Sequence, residues 1–275
     1  MSFQKPFYGL LHQTSQATES FKSEANLISF IVFDDDTRAA MDYNAEVAMP
    51  RRITPMSAPA LPLPPPMEDL AELLERLGGI APDRVRLHPP PGMATEADVV
   101  AALEAPRKRL CELIDGVLVE KPMGFTESLL AAALIEILRA LVRPRRLGLV
   151  TAPDGTMRLW AGRVRIPDVA FTSWDRIPGR RRPAAPVPDL APDLAVEILS
   201  RSNTPEEMRL KRQDYFAADV RLVWEVDPVA RTVSVYTAVE GPTVLTAADT
   251  LDGGSVLPGF VLSLAELFAE LDEQG

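Results

Sequence analysis

Two acidic residues, Asp168 and Glu197, interrupt apolar segments of this chain. They lie in VRIPDVAF (164–171) and DLAVEILS (193–200), whose apolar and β-branched residues predict buried strands. A buried carboxylate is costly unless a cation or hydrogen-bond donors satisfy it. Alternate residues of a strand share a face, so Asp168 is expected on the same side as Ile166 and Ala170. If the two strands are neighbours, the carboxylates meet, and a cation between them keeps both ionised.

Mg²⁺ is the cation that best suits such a pair, with Mn²⁺ as a substitute. It prefers hard oxygen ligands, keeps several waters and accepts phosphate oxygens. A metal ion held in this way can activate water and stabilise the charge on a phosphodiester under in-line attack. Asp168 and Glu197 are therefore candidate metal ligands and catalytic residues for phosphodiester hydrolysis.

Three further residues are candidates for the same site. Lys211 lies two turns into a helix predicted for TPEEMRLKRQDYF (204–216), and Tyr215 follows four residues later on the same face. The Lys211 ammonium is expected to orient the attacking water and to stabilise the pentacovalent phosphate. Glu127, at the start of an apolar helix, is expected to approach the metal from another side. Tyr215 could instead be a core residue with a solvated hydroxyl, and Glu127 a favourable acid in a first helical turn.

Structural interpretations also exist for Asp168, Glu197 and Lys211. Asp168 could cap the end of a strand after a proline. Glu197 needs a buried partner, and an arginine such as Arg165 could supply it. Lys211 could be a solvated lysine that pairs with Glu207, four residues earlier on the same helix.

Capping residues in the sequence predict where the helix that carries Lys211 begins. Thr204 is the expected N-cap, Pro205 occupies the first helical position, and Glu207 completes a capping box. A second helix is predicted over residues 127–142, and it is expected to be largely buried because it is apolar on most sides.

The strands predict the fold class. CELIDGVLVEKP (111–122) is typical of a hairpin that turns at Asp115 and Gly116. GLVTAPDGTMRLW (148–160) predicts a second hairpin, turning at Asp154 and Gly155. The order of the predicted elements indicates an α/β fold in which helices flank a mixed sheet.

Composition divides the chain into three parts. Residues 1–66 include seven prolines between positions 50 and 66 and are expected to form a disordered, proline-rich tail. Residues 67–106 predict a small helical prefix, and residues 107–275 the main domain. The length of 275 residues accommodates one sizeable domain with such additions, or two small domains.

Residue usage excludes several classes of site and location. Both histidines, His12 and His88, precede Pro89, so no Ser-His-Asp triad or histidine-bound zinc site can form after that position. The single cysteine, Cys111, excludes an internal disulfide and suits a cytoplasmic location. We find no apolar run long enough to span a membrane and no secretory signal.

Charge is distributed unevenly along the chain. The net charge of −10 argues mildly against nucleic acid as a partner, yet residues 139–182 contain eleven arginines and three acidic residues. This arginine-rich region is either a solvated surface or a face that contacts the backbone phosphates of DNA. The candidates for phosphate contact are Arg143, Arg145, Arg146, Arg180, Arg181 and Arg182.

Five segments between about Arg109 and Leu271 carry a family resemblance. They are CELIDGVLVEKPMG, RIPDVAF, APDLAVEILSRSNT, KRQDYFAADVRLVWEVDP and DTLDGGSVLPGF. In this order and spacing they resemble the Uma-type restriction endonucleases of the PD-(D/E)XK superfamily. The resemblance implies a restriction-endonuclease-like core. It also implies that Asp168 and Glu197 are the motif acids, that the main-chain carbonyl of Ile198 is a further metal ligand, and that Glu127 is the helix glutamate that assists the metal.

The resemblance further implies the activity. The superfamily places a lysine two residues after the second acid, where this chain has Leu199, and Lys211 is its expected substitute. The implied function is Mg²⁺-dependent hydrolysis of DNA by an endonuclease, and cutting both strands of a duplex would favour a homodimer. The alternatives are a catalytically inactive DNA- or protein-binding module on the same fold, and the same chemistry on RNA.

Overall fold

In the computed structural model, five α-helices and twelve strands account for most of the residues that can be described, 69–122 and 124–272. The helices are α1 (Leu70–Arg76), α2 (Glu96–Glu104), α3 (Phe125–Val142), α4 (Pro205–Ala217) and α5 (Leu264–Ala269). The strands are β1 (Cys111–Ile114), β2 (Val117–Glu120), β3 (Gly148–Thr151), β4 (Met157–Trp160), β5 (Arg163–Arg165), β6 (Val169–Ser173), β7 (Leu194–Ile198), β8 (Leu222–Asp227), β9 (Thr232–Tyr236), β10 (Thr243–Thr246), β11 (Thr250–Asp252) and β12 (Val261–Ser263). Short 3₁₀ turns cover Pro82–Arg84, Trp174–Arg176 and Pro178–Arg180.

The larger sheet has six strands in the order β10-β9-β8-β7-β6-β3. Strands β7 and β8 run parallel, and their connection passes through α4, as a parallel pair requires a crossover. The other neighbouring pairs are antiparallel. Helices α3 and α5 share the main core with one face of this sheet, and α4 contributes Tyr215 to a cluster with Ala195 and Val223 on the other. The predicted mixed sheet flanked by helices is confirmed.

The smaller sheet has four strands in the order β2-β1-β5-β4. Residues of α1 pack with Val117 and Val119 of β2, while Val99 of α2 packs with Leu113 and Val164. The predicted turn at Asp115 and Gly116 joins β1 to β2 as expected. A further two-stranded sheet pairs β11 with β12.

The second predicted hairpin is wrong. Strand β3 pairs with β6 in the larger sheet, whereas β4 pairs with β5 in the smaller one. The turn near Gly155, whose N–H donates to the carbonyl of Ala152, therefore carries the chain from one sheet to the other. A local turn signal indicates where the chain reverses, and long-range pairing decides which strands become partners.

The strand predicted over 164–171 is also interrupted. It is divided into β5 and β6 by Ile166, Pro167 and Asp168, and each part belongs to a different sheet. Proline has no N–H to donate to a sheet and is confined to edges and breaks. The expected shared face of Ile166, Asp168 and Ala170 is therefore wrong, and Asp168 lies where the chain enters the larger sheet.

The predicted division of the chain into three parts extends beyond the residues that the structure describes. The expected disorder of residues 1–66 lies outside the described residues, and the boundary at residues 106 and 107 stays a prediction. Within 69–122 and 124–272, no helix is both long enough and apolar enough to cross a membrane.

Candidate active site

Neighbouring strands bring the two predicted acids together. Strands β6 and β7 are antiparallel, and Val169 lies opposite Val196, so Asp168 and Glu197 lie beside adjacent paired positions. Asp168 is 8% exposed and Glu197 is 3% exposed. The Oδ2 atom of Asp168 accepts a hydrogen bond of 2.7 Å from the N–H of Ile198, which ties the aspartate to the end of β7.

Helix α4 supplies both partners of Glu197. The Lys211 Nζ atom lies 2.9 Å from Glu197 Oε2, and the Tyr215 hydroxyl donates to Glu197 Oε1. The four-residue spacing places the two groups one turn apart on the helix face that meets the sheet. Both oxygens of Glu197 are therefore held by one helix.

The structural alternatives for Glu197 and Lys211 are wrong. Arg165 contacts Glu112 and Asp214 rather than Glu197. Lys211 is only 2% exposed and is therefore not a solvated lysine. Two carboxylates, each within 4 Å, surround it instead.

Contacts at the start of α4 fix the position of this helix, which carries the buried Lys211. The Thr204 hydroxyl accepts a hydrogen bond of 3.0 Å from the N–H of Glu207, which confirms the N-cap. The Glu207 carboxylate does not serve as the second half of the predicted capping box. It binds Arg84 at 2.7 Å and the Asn203 side chain at 3.0 Å, which fixes the helix start against the segment after α1.

Two charged residues that contact the predicted site residues were missed in the sequence, and the first is Lys121. It follows β2 directly, and its Nζ atom lies 2.9 Å from Asp168 Oδ1. The same ammonium donates to the carbonyl of Ile166 at 2.6 Å and to that of Pro153 at 3.5 Å. A lysine that ends the apolar segment VLVEKP was the available signal, since a charged residue there is either solvated or paired with a buried acid.

The second missed residue is Glu112 of β1, which is buried below the two lysines. It accepts hydrogen bonds from Arg165 Nη1 at 2.7 Å and from the N–H of Ile166 at 3.1 Å. Lys211 Nζ lies 3.8 Å from its Oε1 atom. Burial raises the pKa of Glu112, but Lys211 and Arg165 outweigh burial and hold the pKa at about 2. Lys211 therefore bridges two ionisable acids.

The pKa of Glu197 shifts in the opposite direction to that of Glu112. Burial raises the pKa of this carboxyl above its ordinary value, the Lys211 ammonium opposes the rise, and the negative charge of Asp168 adds to it. Burial together with the nearby acids Glu197 and Glu112 also raises the pKa of Tyr215 well above 10, so its hydroxyl stays a hydrogen-bond donor. Another cation close to Asp168 and Glu197 would favour the ionised form of Glu197.

A cleft opens above these groups. Glu127, in the first turn of α3, lines it together with Asp168 and Glu197. Gly124 leaves space for the Glu127 carboxylate, because a Cβ atom at this position would lie 1.9 Å from Glu127 Oε2. The lining residues are Lys121, Pro122, Gly124, Glu127, Ser128, Pro153, Asp168, Glu197, Ile198, Ser200, Asn203 and Lys211.

The donor set of the cleft fits a hard divalent cation with few protein ligands. Among residues 69–122 and 124–272, no three or more His, Cys, Asp or Glu side chains are grouped to hold a metal ion. Mg²⁺ does not need such a cage, since it is commonly bound by one or two carboxylates, waters and substrate phosphates. Asp168 and Glu197 supply two carboxylates, and Glu127 and Ile198 line the same cleft. All of these donors are oxygen atoms, as Mg²⁺ and Mn²⁺ prefer.

The six predicted arginines are exposed, and none of them lines the cleft. Arg143 and Arg146 line a second depression near edge strand β3, together with Arg139 and Trp174. Arg143 follows α3, sixteen residues after Glu127, which corresponds to about 24 Å along a helix axis. The predicted acids, Lys211 and Tyr215 are thus brought together, whereas Arg143 and Arg146 line a separate depression.

Comparisons with known proteins agree with this architecture. A family model named Uma2, described as "Putative restriction endonuclease", matches residues 95–265. The chain is also similar to a crystal structure described as "a putative nuclease belonging to DUF820" from Anabaena variabilis ATCC 29413, with a TM-score of 0.54 and 23% sequence identity. The similarity covers 62% of this chain and 96% of the other, and it shows a shared fold. A search of curated proteins finds no significant match.

Proposed function

Because this chain belongs to the Uma2 family, which is described as "Putative restriction endonuclease", we propose that it is a metal-dependent endonuclease that hydrolyses the phosphodiester bonds of DNA. The observation that carries the proposal is the convergence of Asp168 and Glu197 with two lysines in one cleft. Two acids separated by nearly thirty residues meet beside two ammonium groups, and all four side chains line an open cleft. A site that holds a cation and a phosphate needs both kinds of charge.

The proposed ligands of Mg²⁺ or Mn²⁺ are the carboxylates of Asp168 and Glu197 and the carbonyl of Ile198, with Glu127 assisting at the mouth of the cleft. When bound, the metal would supply a Lewis acid that lowers the pKa of water and neutralises phosphate charge. In the hydrolysis, the oxygen of water bonds to phosphorus and loses a proton to solvent. The bond from phosphorus to one bridging oxygen breaks, and that oxygen gains a proton.

Lys211 and Tyr215 act on Glu197 in this proposal. Their hydrogen bonds occupy one lone pair on each Glu197 oxygen and fix the rotamer of the carboxylate. They are therefore positioning residues for the metal ligand. The expected role of Lys211 in orienting the attacking water stays a prediction.

The arginine-rich surface supports DNA as the substrate. Within 69–122 and 124–272, the side chains of Arg139, Arg143 and Arg146 form no hydrogen bond or ion pair, although they line one depression with Trp174. Unpaired guanidinium groups suit backbone phosphates and give binding without sequence readout. The predicted contacts Arg145, Arg180, Arg181 and Arg182 remain part of this proposal.

Two further features of the proposal concern assembly and location. Cutting both strands of a duplex favours a homodimer, because one cleft holds one set of catalytic groups. The single, buried Cys111 suits a cytoplasmic protein.

A second candidate function is a binding module that has lost the chemistry. Leu199 favours it, since this residue stands where the superfamily has its lysine. A plasmid-nicking assay with Mn²⁺ separates the two functions. We expect nicking by the wild-type protein, none by Glu197→Ala, and wild-type activity from Glu104→Ala, a matched control at an exposed glutamate at the end of α2.

A thermal measurement accompanies the assay. Mn²⁺ should raise the melting temperature of the wild-type protein and leave that of Asp168→Ala unchanged, because a ligand that binds only the folded state stabilises it. Equal nicking by the wild type and Glu197→Ala would show that the observed activity does not come from this cleft. A wild-type protein that binds DNA without cutting it would establish the binding module.

A further inference from the structure

The ammonium of Lys121 occupies a position that would suit a metal ion. It is surrounded by three oxygens, Asp168 Oδ1 at 2.9 Å and the carbonyls of Ile166 at 2.6 Å and Pro153 at 3.5 Å. An ammonium has three donors, so this set satisfies it completely. Carboxylate and carbonyl oxygens are also the ligands of a hard divalent cation. Lys121 therefore neutralises Asp168 in the protein without metal.

The two lysines of the cleft are held very differently. Lys211 has two carboxylates, from Glu197 and Glu112, within 4 Å and is deeper than Lys121. Among residues 69–122 and 124–272, Lys121 has a single carboxylate partner, Asp168. A divalent cation on Asp168 would repel the adjacent ammonium and take its counter-charge. Lys121 would lose the one carboxylate within 4 Å of it among the described residues, whereas Lys211 would keep Glu112.

Building on the proposed nuclease function, we propose that Lys121 is the catalytic lysine that contacts the substrate. Its ammonium neutralises Asp168 in the metal-free protein. When a divalent cation binds Asp168, the ammonium moves to a non-bridging oxygen of the scissile phosphate. The flexible four-carbon stem of lysine allows this movement, and an ammonium beside the phosphate stabilises charge that develops in the transition state. Leu199 then needs no substitute on α4, because the lysine comes from the segment after β2.

The test compares metal affinity with activity in the full-length protein. Lys121→Met keeps an unbranched apolar stem and removes the charge. We expect Mn²⁺ to bind this variant at least about tenfold more tightly than it binds the wild type, measured by calorimetry without DNA, because a repelling charge next to the site is gone. We also expect plasmid nicking at saturating Mn²⁺ to fall about a hundredfold or more.

The matched control is Lys108→Met, at an exposed lysine that pairs with Asp154, next to Pro153. It should leave both the affinity and the nicking rate unchanged. Lys121→Arg keeps the charge and should bind Mn²⁺ as the wild type does, and circular dichroism of each variant checks that it is folded.

Opposite changes in affinity and activity are the expected signature. Unchanged Mn²⁺ affinity in a folded Lys121→Met would overturn the proposal that Lys121 occupies the cation position. Tighter Mn²⁺ binding with undiminished nicking would overturn its role at the substrate. A wild type that binds Mn²⁺ but never cuts DNA would refute the proposed function and with it the substrate role, while the affinity comparison would still decide whether Lys121 occupies the cation position.

Discussion

Replacing Lys211 with methionine removes the cation between two buried acids and tests the electrostatics of the whole site. Its Nζ atom lies 2.9 Å from Glu197 Oε2 and 3.8 Å from Glu112 Oε1. All three side chains are almost inaccessible to solvent. The substitution would leave two carboxylates facing each other without the charge that separates them.

The expected magnitude follows from these distances. At an effective dielectric constant of about 20, the Coulomb energy is about 6 kcal/mol for the shorter contact and about 4 kcal/mol for the longer one. The cost of burying the lysine itself offsets part of this energy, and breaking a buried ion pair generally costs about 3–5 kcal/mol. We therefore expect Lys211→Met to lower the free energy of unfolding by about 3–5 kcal/mol. For a domain of this size, each kcal/mol lowers the melting temperature by about 2–4 °C.

Urea denaturation at pH 7, followed by tryptophan fluorescence, measures the loss. The matched control is Arg209→Met on the same helix, where a half-buried arginine pairs with the exposed Glu206, and we expect a much smaller change. The double variant Lys211→Met/Glu197→Gln also removes the charge of Glu197, which loses its ammonium partner in the single variant, whereas Glu112 keeps Arg165. It should therefore be more stable than Lys211→Met alone by at least about 1 kcal/mol, which is the coupling expected of residues in direct contact.

Two results would refute this reasoning. A loss below about 1 kcal/mol in Lys211→Met would mean that water reaches the site and screens the acids. A double variant no more stable than the single variant would mean that the destabilisation comes from packing and not from the unpaired Glu197 carboxylate.

Two other predictions concern DNA binding and acid stability. The double variant Arg143→Gln/Arg146→Gln should weaken binding to all DNA sequences alike and reduce the slope of log Kd against log salt by about 2, measured by fluorescence anisotropy. An unchanged slope would exclude these arginines from the interface. The pKa of Glu112 is lowered from 4.5 to about 2, so its ionised form contributes stability above pH 4.5, and this contribution is lost as the pH falls towards 2. Over this range the wild type should lose about 3 kcal/mol more than Glu112→Gln in urea titrations, and parallel stability curves would contradict the assignment.

Local patterns were sufficient for the elements that carry the site. The cap at Thr204, the turn at Asp115 and the strand that contains Glu197 are short-range signals, and each appears in the structure. They work because capping and turn formation involve residues only a few positions apart. An acid within an apolar segment is informative for a similar reason, since burial makes it costly wherever the strand lies.

Partners separated by long stretches of chain could not be predicted in this way. Lys121 approaches Asp168 across 47 residues of sequence, and Arg165 binds Glu112 and Asp214 rather than Glu197. The two strands around Gly155 join different sheets, although the turn between them is typical of a hairpin. Such choices depend on which packing buries the most apolar surface with every charge paired, and that is a property of the whole fold.

The amino-acid sequence alone therefore determined the chemical inventory: which acids must be buried, which helix carries Lys211, and which family motifs stand in order. Tertiary structure alone decided which charged side chains pair with one another. It placed Lys121 on Asp168, gave Lys211 two carboxylates, and placed Arg143 about 24 Å from Glu127 along the axis of α3. The physical reason is that charge pairing in a buried site is governed by distances of a few ångströms, and those distances arise only when separate sheets and helices pack together.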